Sequence, residues 1–300
     1  MLKIAYHPLY CHPLPEGHRF PMAKYELIPA QLQYEGVCSE SNFFAPPPAD
    51  ERWILGVHDA QYWRDLQDLN IDAKMVRRVG FPLSAGLVAR EIVIAQGTIT
   101  GCHFALQDGV AMNVAGGTHH AYADRGEGFC LLNDVAIAAN YLLENKLAKR
   151  ILIIDLDVHQ GNGTAVIFKN EPRVFTFSMH GKDNYPLFKE QSDLDIALET
   201  GTGDSGFLKP LNATLQHLVQ RHKPDFAFYI SGVDILETDR LGKLSVSKEG
   251  CKQRDELVFD TCLRHGIPVM VSMGGGYSPR IGDIVDAHCQ TFKAANAAYF

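Results

Sequence analysis

Short, almost wholly apolar runs alternate along this chain with longer stretches whose apolar positions recur at helical spacing. The runs at Lys3–Tyr6, Trp53–Val57, Val110–Val114, Arg150–Leu156, Val174–Ser178, Phe226–Ser231 and Pro268–Ser272 are predicted as strands. Ile151-Leu152-Ile153-Ile154 and Val269-Met270-Val271 are apolar on both faces, as expected of a parallel sheet covered on both sides. Helices are expected over Leu83–Gln96, Asp134–Asn145, Phe207–His222, Lys248–His265 and Ile281–Ala298. This βα alternation points to a three-layer α/β/α fold with a mainly parallel central sheet. One domain is expected over residues 1–300: a boundary at Pro46-Pro47-Pro48 would leave an N-terminal piece too small for its own core. The polar, weakly periodic stretch Gly181–Lys209 is long for a plain connection and is expected to be an active-site loop.

Composition narrows the function classes. Of 300 residues, 46% are apolar and 21% charged, enough for a large core and wrong for a disordered or coiled-coil chain. Lys plus Arg minus Asp plus Glu is 28 − 35 = −7, which argues against general adhesion to nucleic-acid phosphates. The seven cysteines are odd in number, widely spaced and without a CxxC, so reduced thiols in a cytoplasmic setting are expected. No apolar run has the length of a signal-peptide core or a membrane span.

The chemistry concentrates where apolar runs end. In Ile151-Leu-Ile-Ile-Asp155-Leu-Asp157-Val-His159-Gln-Gly-Asn-Gly163, Asp155, Asp157 and His159 share one face of an extended chain. Gly161 and Gly163 permit a sharp turn at the strand's carboxyl end, where open α/β sheets place ligands. Two carboxylates at a buried strand end need a cation or many donors. Phe226–Ser231 leads in the same way to Asp234, a candidate third ligand. Asp239 competes with it but stands beside Arg240, so a surface ion pair is its default reading. Two carboxylates and one imidazole suit Zn²⁺ or Fe²⁺ with an open position. His119 and His120 follow a strand and a double glycine that lets both reach one site, a proton-transfer device near neutral pH. Tyr277 follows Gly274-Gly275-Gly276, well placed to aim its O–H at a substrate oxygen.

Together these segments resemble the histone deacetylase family, of arginase-like fold. The matching motifs are GGTHHA at 116–121, GEGFCLLND at 126–134, DLDVHQGNG at 155–163, SGVDILETDRLG at 231–242 and GGGYS at 274–278. PEGHRFP at 15–21 and SMHGKDNYP at 178–186 look like the class IV branch. The resemblance implies Zn²⁺ at Asp157, His159 and Asp234, with water completing the shell. It implies His119 and His120 as the catalytic pair and Tyr277 as the group polarising an acyl carbonyl. Asp155 would orient His119 and, with Ser178 and the carbonyls of Asp157, His159 and Met179, hold a structural K⁺. Asn162 would contact His120 without adding charge, so the His120 pKa is expected near the working pH. Gly128 and Phe129 match one wall of an acyl-lysine tunnel, and Tyr185 is the candidate for the opposite wall. Arg19 and the Gly274–Gly276 run, Gly275 included, match an internal pocket behind the metal.

The implied reaction is hydrolysis of an N-acyl-lysine amide in a protein or peptide, releasing acetate or a longer acid. An acetylpolyamine or another small acetylated amine is the alternative substrate. A ureohydrolase of the same fold would need a second metal and a DxD at the second strand end, where this chain has SGVDILETD. A non-catalytic acyl-lysine reader would have no need of Tyr277, the histidine pair and the ligand set together.

Overall fold

The computed structural model describes residues 1–300. In chain order the elements are β1 (Lys3–Ala5), α1 (Lys24–Tyr34), β2 (Phe43–Phe44), α2 (Glu51–Leu55), α3 (Ala60–Gln67), α4 (Ala73–Val79), α5 (Ala85–Asp108), β3 (Val110–Asn113) and α6 (Asp134–Glu144). They continue with β4 (Ile151–Asp155), α7 (Asn162–Phe168), β5 (Val174–Gly181), β6 (Leu194–Leu198), α8 (Asp204–His222), β7 (Phe226–Ile230), α9 (Lys248–Arg264), β8 (Val269–Ser272) and α10 (Ile281–Tyr299). The eight strands form one sheet in the order β2-β1-β3-β8-β7-β4-β5-β6, and every pair is parallel. The mainly parallel sheet expected from the sequence is therefore wholly parallel. Strands β3, β4, β7 and β8 are buried at every residue, because helices cover both faces. α5 lies along β1, β3 and β8, while α10 packs between α1 and α9. No helix is long and apolar enough to cross a membrane, and all seven cysteines are free thiols.

The differences from the sequence reading have local causes. Trp53–Val57 is not a strand. Asp50 caps Arg52 N at 3.0 Å and starts the short helix α2, which buries Ile54 and sets Trp53 edge-on against Tyr141. A five-residue apolar run does not by itself separate strand from helix. α5 continues twelve residues past Gln96 (108 − 96), through Gly97 and Gly101. A Cβ at Gly97 would strike Tyr10, and one at Gly101 would strike Met270, so these glycines serve close packing and do not break the helix. The polar stretch Gly181–Lys209 includes the edge strand β6, whose mostly half-exposed positions hide it from hydrophobic patterning. The sequence patterning does not predict α1, α3, α4, α7 or the two-residue β2.

The four central strands β3-β8-β7-β4 are neighbours, and each carboxyl end carries one of the segments singled out above. β8 is the only link between β3 and β7.

Candidate metal centre and active site

Asp155 ends β4, and the chain then turns through Asp157 and His159. Backbone donors fix both metal-candidate carboxylates. Gly275 N donates to Asp157 Oδ2 at 2.8 Å, and Val158 N donates to Asp234 Oδ1 at 2.9 Å. The other carboxylate oxygens converge on His159: its Nδ1 lies 3.0 Å from Asp157 Oδ1 and 3.2 Å from Asp234 Oδ2. The candidate ligand atoms of Asp157, His159 and Asp234 all lie within 4.8 Å of one another. The approach depends on glycine, since a Cβ at Gly275 would fall on Asp234 and one at Gly232 on Asp157. Asp234 is wholly buried, yet its Oδ2 has no hydrogen-bond donor. A buried anionic oxygen without a donor is what a cation site supplies. The residues fit a divalent ion.

The electrostatics agree with that fit. Burial raises the Asp234 carboxyl, and the Asp157 charge raises it further, to about 7. Burial opposes charge on His159, but its hydrogen bond to Asp157 and the adjacent Asp234 carboxylate hold it up at about 10. The site as built draws positive charge inward.

The two adjacent histidines have different partners. His119 Nδ1 is 2.6 Å from Asp155 Oδ2. Burial opposes its charge, yet Asp155 holds the imidazole up at about 9. His120 Nδ1 is 2.6 Å from Asn162 Oδ1. Asn162 turns its Nδ2 to Tyr122 Oη at 3.0 Å and Glu127 Oε2 at 3.2 Å, so its oxygen must face His120. His120 therefore donates from Nδ1 and keeps the Nε2 lone pair. Burial, then the charges of His119 and His159, push His120 well below the ordinary histidine value. The neutral partner is as expected, but this imidazole is depressed further than Asn162 alone would leave it.

Tyr277 N donates to Asp239 Oδ2 at 2.6 Å, and Asp239 Oδ1 accepts from Leu241 N and Gly242 N at 2.8 Å each. Asp239 is thus a cradle for the tyrosine loop, correcting the expected surface ion pair with Arg240. Burial, then Asp234 and Asp157, raise the Tyr277 phenol well above its ordinary value, so it keeps its proton. The loop bearing His119 and His120 is held by Asp134, whose Oδ1 accepts from Thr118 N at 2.9 Å and Thr118 Oγ1 at 2.7 Å. Asp155 and Ser178 are register partners on β4 and β5, both buried, with Met179 next along β5.

Two cavities meet at these residues. The outer one, about 330 Å³, is lined by Phe129, Gly128 and Tyr185 and reaches His120, His159 and Tyr277. Gly128 N donates to Arg78 O at 3.1 Å and Phe129 N to Val79 O at 2.7 Å, pinning this wall to the end of α4. Both residues have left-handed φ, +52° and +68°, and a Cβ at Gly128 would press on the His120 ring. The Tyr185 ring stands perpendicular to His120 at 5.0 Å, and its hydroxyl donates to Glu127 Oε2 at 2.6 Å. The inner cavity, about 40 Å³, lies against Gly117, Gly275, Asp157, Tyr25 and Arg90.

Arg19 is not in the inner cavity. It is exposed at the outer mouth, with its guanidinium 5.1 Å from the Phe129 ring centre. Arg90 lines the inner cavity and Lys24 stands behind its Gly274 wall; sequence reasoning missed both. Lys24 is fully buried and donates from Nζ to Gly274 O at 3.1 Å. Burial lowers it to about 8 against the pull of Asp234 and Asp157. The available signal was spacing: Phe20, Lys24, Ile28 and Leu32 recur every four residues, and a cation on that apolar stripe is anomalous.

Comparison with known proteins agrees with this geometry. The histone deacetylase domain family matches residues 18–292. An uncharacterized protein of Picosynechococcus sp. is 45% identical over 99% of both chains. Histone deacetylase 2 of Arabidopsis thaliana is 29% identical over 87% of this chain and 70% of its own length. Among solved structures, an HDAC homolog complexed with SAHA superposes with a TM-score of 0.83 at 23% identity, covering 99% of this chain and 84% of the other. The HDA15 HD domain gives a TM-score of 0.81 at 20% identity, covering 99% and 88%. A sheet whose four central strand ends gather an Asp-His-Asp cluster, a histidine pair and a tyrosine thus coincides with a family match over most of the sequence: the chain belongs to the histone deacetylase family and is a hydrolase of that type.

Proposed function

We propose that this chain is a single-domain, zinc-dependent deacylase of N-acyl-lysine in proteins or peptides, with Fe²⁺ as a possible substitute metal. The carrying observation is the buried, donorless Asp234 Oδ2 facing Asp157 and His159. Asp157, His159 and Asp234 would hold the ion, which when bound polarises the amide carbonyl and acidifies water. Asp155, Ser178 and the Met179 carbonyl would hold a structural K⁺, an assignment consistent with the paired, buried oxygens of Asp155 and Ser178.

The protein's own groups divide the proton work. His120, neutral and with Nε2 free, takes the proton of the attacking water as oxygen adds to the acyl carbon. His119, held as imidazolium by Asp155, and the Tyr277 hydroxyl stabilise negative charge on the acyl oxygen. When the C–N bond breaks, His120 returns the proton to the lysine amine. Gly128, Phe129 and Tyr185 guide the acyl-lysine chain from the outer cavity. The inner cavity beside Gly275, Arg90 and Lys24 receives the acid product. Longer acyl groups and a class IV placement follow from the resemblance at 15–21 and 178–186.

The test is acid release from a panel of acyl-lysine peptides and acetylpolyamines, assayed with Zn²⁺ and Fe²⁺. Faster turnover of at least one acyl-lysine peptide is expected, and uniformly faster acetylpolyamine cleavage would reverse the substrate assignment.

A further inference from the structure

The mouth of the outer cavity opposes the charge of the whole chain. The protein carries a net −7, yet three cations, Arg19, Arg78 and Lys243, line this mouth against one exposed carboxylate, Asp183. All three cations are exposed. Arg19 lies over Phe129, the tunnel wall, at 5.1 Å. Arg78 lies 3.5 Å from Glu127, whose other oxygen is occupied by Tyr185 and Asn162. Lys243 donates to the backbone oxygen of Asp183 at 2.9 Å, and the Asp183 carboxylate accepts from Thr200 Oγ1 at 2.8 Å; against the carboxylates of Asp183 and Glu127, three cations leave the rim net positive.

The loop beside the mouth is held in shape by one ammonium group. Lys189 Nζ donates to Asn184 O at 2.6 Å, Pro186 O at 2.7 Å and Lys182 O at 3.2 Å. The loop so closed carries Leu187 and Phe188 at its tip, each 85% exposed, directly after the cavity-lining Tyr185 and its neighbour Pro186. An apolar pair held out to solvent next to a cationic rim offers more contact than a small amine could use.

We propose that this rim is a docking surface for an acidic polypeptide segment, so that an acyl-lysine flanked by aspartate or glutamate is the favoured substrate. The inference rests on the acyl-lysine reading above and deepens it. Charge complementarity at a rim acts mainly on encounter and on rejection of wrong partners. An acetylpolyamine keeps cationic amines outside the tunnel, and the same field repels it.

The experiment uses the metal-loaded protein and three matched acetyl-lysine peptides with Asp, Gln or Lys on both sides, alongside N-acetylspermidine. At low salt kcat/KM is expected to be about tenfold higher for the Asp than for the Lys peptide, and the gap should close in high salt, where exposed charges are screened. In a variant combining Arg19→Gln, Arg78→Gln and Lys243→Gln, the Asp-to-Lys ratio should fall close to one. The readout is a ratio, so a general loss of activity does not imitate it. A ratio below about two in the parent protein while the Gln peptide is cleaved overturns the docking surface alone, as does a ratio that survives the triple variant. Cleavage of N-acetylspermidine with no cleavage of any peptide overturns the acyl-lysine reading and the docking surface together.

Discussion

One flank of the active site is made by strand ends and the other by loops, and the two treat neighbouring histidines in opposite ways. On the strand flank, Asp155 completes β4 and draws His119 toward its charged form. On the loop flank, Asn162 opens α7, takes its orientation from Glu127 and Tyr122, and leaves His120 neutral. The rings sit 4.2 Å apart, centre to centre. Sequence adjacency thus supplies two like groups, and unlike partners give them the opposite charge preferences that the proposed helper and base require. The lesson is that a side chain's role lies in the second atom it touches.

The comparison breaks most completely if the strand flank loses its charge centre. Asp157→Ala should abolish both tight metal binding and activity, because two remaining ligands make a poor divalent site. Stoichiometric, tightly held metal by elemental analysis would remove Asp157 from the ligand set. Next in size is Tyr277→Phe, which keeps the ring against Phe129 and Phe20 but deletes the hydroxyl. A drop of roughly 10²–10³ in kcat with unchanged metal content is expected for one oxyanion donor. Turnover close to the parent would show that the hydroxyl is idle.

Asn162→Asp would make the two flanks alike. A carboxylate against His120 favours the imidazolium, so a higher pH is needed to keep the base neutral. The acidic limb of the kcat/KM profile should move up by about one pH unit. An unmoved limb would separate His120 from the titration that limits activity. The smallest effect is expected for Glu127→Gln, which keeps an acceptor for Tyr185 but loosens the orientation of Asn162. A loss of about fivefold in kcat/KM, with metal content intact, matches the weakening of one hydrogen bond to a charged group. No loss at all would mean that Tyr122 alone orients the amide.

The same division explains what the sequence made legible. The strand flank follows from period and punctuation: an apolar run, then Asp155, Asp157 and His159 at alternate positions, then glycine. A parallel sheet places such strand ends together without further information. Asp234 is read by the same rule from β7. The loop flank obeys no period. Tyr185 meets Glu127 across 58 residues of chain, and Phe129 stands at φ +68° because Val79 O holds its amide. Lys24 reaches Gly274 across 250 residues. Motif position points Arg19 to the inner pocket, but the structure puts it at the mouth because Phe20, the next residue, turns inward among Phe81, Phe129 and Tyr277. Asp239 read as a surface ion pair because Arg240 is its neighbour in sequence, whereas its partners are backbone amides.

The position of β8 sets a clock on this enzyme. β8 is the eighth strand to leave the ribosome, yet it stands in the middle of the sheet, between β3 and β7. Until it is made, the ribbon that carries His119 and His120 has no edge in common with the ribbon that carries Asp157, His159 and Asp234. Only side-chain and loop contacts, such as His119 with Asp155 and His120 with Asn162, join the two ribbons without it. Late insertion of a central parallel strand is also a contact of long sequence separation, the kind that closes slowly. Tyr277 follows β8 in the chain, so the site described here is complete only once Val269–Ser272 occupies the gap.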